Sequence, residues 1–497
     1  MRSAATTLAL VFAACSVAPD LQGGDVTVLD AGERGDGGHV ADGGTSLDGG
    51  VGDGGTVSDG GPGDGGHALQ VVAPSGARRG PILVRFPGAT APVTLALATG
   101  PATLKTAWTE GGGVLVAWDS FADVSSDGAV TLHATDAAGL AATFTLDVRD
   151  TPDVDRLVAV GHKSVDAPGG GATDDGAEVG LFAWSRAGSA GGPRRLTVGK
   201  GPGTLRAAPH GRAVVVVNET DGSVSVVTTP LDADLAGAAV LATLTLPGGS
   251  AADARWSPDG RYFYVAATGD GAHPPTLWRY EPSEDLSSVG APVNLTTLPG
   301  PPDRFDVDRV HGRILVDCGS GGAGLAKLVL LGPDGAELAR HEEDLDPANA
   351  LTFDPTGTFA LWTSGTFSEQ VRVWSIGTAS IAQAGPTLTT VRAPQDAIFW
   401  PGTGGAALVS NLNHDTVTPV LVSTTGASPR SPVAGVPLAA ELDDIERGAA
   451  RGTVFAVAVS QVYRLTLAPD GATTNRGQVI DFGAATTDLT TGIAVQR

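Results

Sequence analysis

The residues of this chain best placed to act together are carboxylates that recur at the head of a repeated strand. Asp253, Asp306, Asp396, Asp444 and Asp488 each open a copy of one strand–turn–strand phrase, with Asp443 an equal choice beside Asp444. If the repeat carries those heads to one opening, the carboxylates make a negative funnel suited to Ca2+ or to a cationic ligand group. An aspartate before a strand also closes Asx turns or caps backbone N–H groups, and spacing alone does not separate the two roles. The nine histidines are scattered, with none of the His-x-His, His-Glu-x-x-His or Cys-x-x-Cys spacings of a metal site. Neither a Gly-x-Ser-x-Gly elbow nor a phosphate loop occurs. No catalytic residue is assigned on this basis, and no cofactor beyond a cation held by the aspartates.

The phrase that must position them is clearest at Asp253-Ala-Arg-Trp256-Ser-Pro258-Asp-Gly260-Arg-Tyr-Phe-Tyr264-Val-Ala-Ala267. It reads as a strand, a tight turn, then a strand rich in aromatic and β-branched residues. Degraded copies start near Leu205, Phe305, Leu351, Asp396 and Asp444, a spacing of about 48 residues. A period of that size, built only of strands and turns, predicts an all-β chain with a β-propeller, the innermost strand of each blade lining a central channel. Six units are complete. Segments 157–160, 181–184 and 195–198 lack a first strand, and 492–495 is a first strand with nothing after it. Joined, they complete a seventh blade, so a seven-bladed propeller over 154–497 with ring closure by the C-terminal strand is expected.

Trp256-Ser-Pro-Asp-Gly-Arg resembles the WD40-like repeats of TolB-type propellers, and Tyr264-Val-Ala-Ala resembles the YVTN repeats of surface and lactonase-type propellers. The resemblance implies the fold, and roles that range from scaffold and binding module to hydrolase. Lactonase-type propellers use His, Glu and Arg at the channel mouth, with a Pro-Arg-His lead-in to a strand. That lead-in is missing here, although Glu441, Glu446 and Arg447 lie near one first strand.

Segment 68–150 carries short β-rich runs bounded by Gly and Pro, and ends in two alternating strands around Asp136-Ala-Ala-Gly139. That hairpin resembles the last hairpin of bacterial immunoglobulin-like domains, which implies a small β-sandwich with Trp118 in its core. Before it, 16–67 repeats Asp-Gly-Gly at Asp36, Asp42, Asp48, Asp53, Asp59 and Asp64. Glycine makes ordering costly and the carboxylates repel, so a disordered linker reaching on the order of 40 Å is expected.

Residues 1–15 read as a signal peptide: Arg2, then a short apolar run too brief to span a bilayer. Phe12-Ala-Ala-Cys15 resembles a bacterial lipobox, with Phe12 where Leu is usual, and implies lipidation of Cys15. Cys318 is the only other cysteine, so no intramolecular disulfide is possible once Cys15 is lipidated. The expected address is the cell envelope, anchored by lipid to the outer membrane or cell surface, with no other membrane contact. A net charge of −23 and a pI near 4.6 exclude a nucleic-acid surface. The expected protein is a monomer that docks an envelope or surface partner, with a lactonase-like hydrolase as the rival class.

Overall fold

The structure, a computed structural model, describes most residues between 69 and 495. Residues 1–68 and scattered loop positions lie outside the described residues, and the expected signal segment, Cys15 and the Asp-Gly-Gly linker fall there. The chain divides into Met1–Gly52 and Asp53–Arg497, and everything described belongs to the second unit.

Two three-stranded antiparallel sheets come first. One joins Ile82–Arg85, Gly113–Asp119 and Thr103–Thr109; the other joins Thr94–Thr99, Gly128–Thr135 and Ala141–Val148. Val84, Val130, Leu132 and Leu146 bring both sheets into one core. Asp136 fixes the last hairpin by accepting the backbone N–H groups of Thr90, Ala138 and Leu140. Those bonds, Thr90 foremost, hold its carboxyl below the usual range. Trp118 lies in Gly113–Asp119 opposite Leu104; its side chain is outside the described residues.

Six consecutive antiparallel meanders follow, here blades 1 to 6, five of four strands and blade 5 with an added fifth, with innermost strands Pro202–Ala207, Ala251–Trp256, Pro302–Val307, Ala350–Phe353, Pro394–Trp400 and Leu442–Arg447. A seventh sheet joins the two ends of this region: Thr490–Val495 pairs antiparallel with Arg156–His162, which pairs with Glu178–Ser185. The seven innermost strands touch in cyclic order, from Thr490–Val495 to Pro202–Ala207 and onward back to Thr490–Val495. The ring is closed by the C-terminal strand, as the two fragments required.

Burial explains the composition of the blades. Second strands are covered on both faces by neighbouring blades, so Ala213–Asn218, Phe263–Ala267 and Ile314–Cys318 are buried at every position and are apolar apart from Asn218 and Asp317. Outer strands such as Ala239–Leu244 and Val293–Thr297 are half-buried or exposed. The seam between blades 1 and 2 is filled by Val215, Val217, Val224, Trp256 and Phe263, with Phe263 stacked on Tyr280 at 5.1 Å. Each such side chain contributes about 1.5–3 kcal/mol of burial. The glycine of the repeated phrase is set by the backbone: Gly211, Gly260, Gly312 and Gly357 close the first hairpins at φ between 69 and 72°, a left-handed conformation that disfavours any side chain.

Removing 490–497 would expose the inner edge of Arg156–His162 and open the ring. Thermal unfolding followed by circular dichroism should then lose about 5 °C or more in midpoint, or its cooperativity. An unchanged melt would show that closure adds no stability.

Candidate functional site: the inner-strand belt

A single irregularity sets what each inner strand presents. In six of the seven, the register slips by one residue just after the first pair, as between Ala251 and Asp253 or Pro302 and Arg304. Only Ala350–Phe353 runs straight. A bulge of this kind re-aims the side chains that follow it. Counted from the bulge, the equivalent positions are Thr204, Asp253, Arg304, Ala350, Asp396, Asp444 and Gly492. Two residues on stand Arg206, Arg255, Asp306, Thr352, Ile398, Glu446 and Ala494.

Asp253, Asp396 and Asp444 therefore share one level, while Asp306 lies two residues deeper, at the level of Arg255, and Arg304 takes its expected place. The extra bulge residue cannot be read from the phrase, because Phe305-Asp306 imitates the start of a copy whose pairing has begun earlier. Asp488 and the side chain of Asp444 lie outside the described residues.

Asp253 is fully buried. Its Oδ1 accepts from Ala254 N–H at 2.8 Å and from Arg255 Nη1 at 2.5 Å, and its Oδ2 accepts from Phe305 N–H of blade 3 at 3.1 Å. Arg255 Nε lies 3.6 Å from Asp306 Oδ1, and the guanidinium sits 5.9 Å from the Phe305 ring centroid. Asp306 Oδ2 in turn accepts Phe353 N–H of blade 4 at 2.7 Å. Arg304 donates to Asn349 O of blade 4 and to Ala252 O of blade 2, and the Asn349 amide donates to Gln395 Oε1 of blade 5 at 2.8 Å. Trp256 Nε1 reaches back to Arg206 O of blade 1. The result is a polar belt that hands each inner strand to the next.

Its electrostatics follow from burial. Desolvation, with the repulsion of Arg206, lowers the Arg255 pKa against the pull of Asp253, Asp306 and Asp396. Desolvation also pushes the Asp306 carboxyl above its ordinary value, against the pull of Arg255 and the Phe353 N–H bond. Among the side chains described, the belt carries three aspartates, Asp253, Asp306 and Asp396, and three arginines, Arg206, Arg255 and Arg304. A cation would thus compete with the arginine already paired to two of those carboxylates. Among the described residues no group of three or more His, Cys, Asp or Glu side chains could hold a metal ion.

The arginines were the part that motif reading missed. The available signal was Arg255 two residues after Asp253 on one strand, which puts both on the same face. Elsewhere, His311 bonds through Nδ1 to Asp308 Oδ2 at 2.7 Å at a hairpin tip, and Trp374 is buried between blades 3 and 4. His210, Glu441 and the side chains of Glu446 and Arg447 lie outside the described residues.

No protein-family model matches the chain, and no curated protein matches it by sequence. Solved structures do. A protein from Lactobacillus plantarum aligns with 69% of this chain and 100% of its own at 14% identity, with a TM-score of 0.51. A proposed 6-phosphogluconolactonase from Bacteroides uniformis aligns with 69% of this chain and 99% of its own at 15% identity, with a TM-score of 0.50. Both are similar in fold, and at that identity in fold alone.

Replacing Arg255 with Ala leaves Asp253 buried, and Asp306 half-buried, without their cation. Denaturant unfolding should register a loss of about 3–5 kcal/mol, the cost of stranding one partner of a buried pair. A loss below about 0.5 kcal/mol would mean that the pair does not hold the belt.

Proposed function

We propose that this chain is a lipid-anchored binding module of the bacterial cell envelope, with Cys15 as anchor, the Asp-Gly-Gly tract as tether, an immunoglobulin-like segment, and the propeller ring as the docking element. The observation that carries this reading is the belt. Asp253 and Asp306 are engaged by Arg255 and by backbone N–H groups of the next blade, so they stiffen a preformed ring instead of supplying a base. A rigid frame loses little entropy on docking, and a long tether raises the volume it samples.

A second reading, a lactonase-like hydrolase acting at the channel mouth, draws on two observations. Burial raises the Asp306 carboxyl toward the range of a general acid or base. The fold is also shared with a proposed 6-phosphogluconolactonase.

Crosslinking in intact native cells, followed by affinity capture and mass spectrometry, separates them. The binding reading predicts a recurrent envelope partner, and its loss in Asp396→Asn/Asp444→Asn would place the contact at the mouth. No partner, together with lactone or ester hydrolysis abolished by Asp306→Asn, would replace it with the hydrolase. The address has its own check: Cys15→Ala should move the protein from the membrane fraction to the soluble fraction and abolish labelling by a fatty-acid analogue. Unchanged membrane association and labelling would refute the anchor.

A further inference from the structure

Beside the belt lies a second pair of carboxyls that the docking reading does not use. Asp303 is the bulge residue of the blade 3 inner strand, and Asp317 stands on the second strand opposite Arg304. Asp317 is fully buried, and its Oδ2 accepts the indole N–H of Trp362, on the second strand of blade 4, at 2.8 Å. Its Oδ1 and the Oδ2 of Asp303 are both buried with no hydrogen-bond partner among the described residues. The two carboxyls are near enough for Asp303 to repel charge on Asp317, whose donors are the Trp362 indole and the Ala348 backbone N–H.

The surrounding charges do not relieve them. Arg304, on the inner strand, donates to the carbonyls of Ala252, Asp303 and Asn349. Lys327, opposite Cys318 on the third strand, lies 3.9 Å from Glu342, and Arg340 on the outer strand pairs with Glu337. On blade 4, Arg372 pairs with Glu343 while its guanidinium lies over the Trp362 ring. The neighbouring Cys318 thiol is buried and pushed up by that burial and by Asp317. Among the described residues Asp317 has no ion pair.

Burying an ionised carboxylate in such a place costs far more in desolvation than burying the neutral acid, which also gains an O–H to donate from Oδ1. We propose that Asp303 and Asp317 form a proton-gated latch on the seam between blades 3 and 4, closed with a proton on Asp317 and loosened when that proton leaves. Ionisation puts a second negative charge beside Asp303 at the end of blade 3 where Arg304 spans blades 2 and 4, so the latch bears on the channel mouth itself. Burial, joined by Asp303, pushes the Asp317 carboxyl up to about 7, against the Trp362 bond. Asp303 is pushed up as well, by burial, against the pull of Arg304. Because the folded-state value lies above the unfolded one, the latch's contribution is complete below about pH 4. It declines as pH rises and is lost above about pH 7.

Thermal unfolding of the full chain between pH 5 and 8, with hydrogen exchange across blades 3 and 4, tests this in the wild type, Asp317→Asn and Asp303→Asn. The wild type should lose about 4 °C across that range. Exchange at Trp362 and its neighbours, corrected for intrinsic rate, should rise by up to about tenfold per pH unit below about pH 7 and level off once Asp317 has ionised. Asp317→Asn should melt higher than wild type at pH 8 and flatten both profiles. Asp303→Asn, which removes the neighbouring charge, should shift the transition to lower pH and keep it. Identical profiles for wild type and Asp317→Asn would overturn the latch. Should Asp317→Asn fail to fold, Asp303→Asn decides: a transition that does not move overturns it equally.

Discussion

Each blade of this ring has two apolar faces and no other layer to cover them. A sheet in that position is stable only between two neighbours, so the architecture must run until it meets itself. That requirement governs the rest. It makes second strands predominantly apolar, it places Trp256, Trp362 and Trp374 in the seams, and it brings Thr490–Val495 back to Arg156–His162. It also brings seven inner strands together, each in contact with the next around the ring.

Convergence of backbones creates a second problem, which the belt answers. Buried N–H and C=O groups at the start of the inner strands need partners that the sheets themselves do not supply. Carboxylates of one blade reach the N–H groups of the next, and arginines reach carbonyls on both sides. Charge is tolerated at Asp253 and Asp306 because each meets Arg255 and a backbone N–H of the next blade. The blade 3–4 seam is the exception: Asp317 has the Trp362 indole and the Ala348 N–H but no cation among the described residues, its Oδ1 is unbonded, and its neighbour is another acid.

The fold was legible because its signals are local and repeated. The turn glycine needs a left-handed backbone in every copy, and the aromatic and β-branched second strand needs two covered faces in every copy. The two orphan fragments at 157–198 and 492–495 followed from the same count. The belt was only half legible. Asp253 and Asp396 could be found by position, but a one-residue bulge moved Asp306 to another level and brought in Arg304. No sequence period encodes a bulge, and pairing across blades joins residues some 50 positions apart, such as Asp253 with Phe305 and Asp317 with Trp362. Nothing in the repeated phrase marks Asp317, whose partner lies on the next blade.

The central claim is that the mouth aspartates and arginines are coupled to hold neighbouring inner strands together. A double-mutant cycle of Asp253→Asn and Arg255→Gln, read by denaturant unfolding, tests it most directly. Coupling of about 1.5 kcal/mol or more would support the belt, since residues in one buried network interact by about 0.5–3 kcal/mol. Additivity to within about 0.5 kcal/mol would contradict it, and would return Asp253 to the role of a free ligand-binding carboxylate.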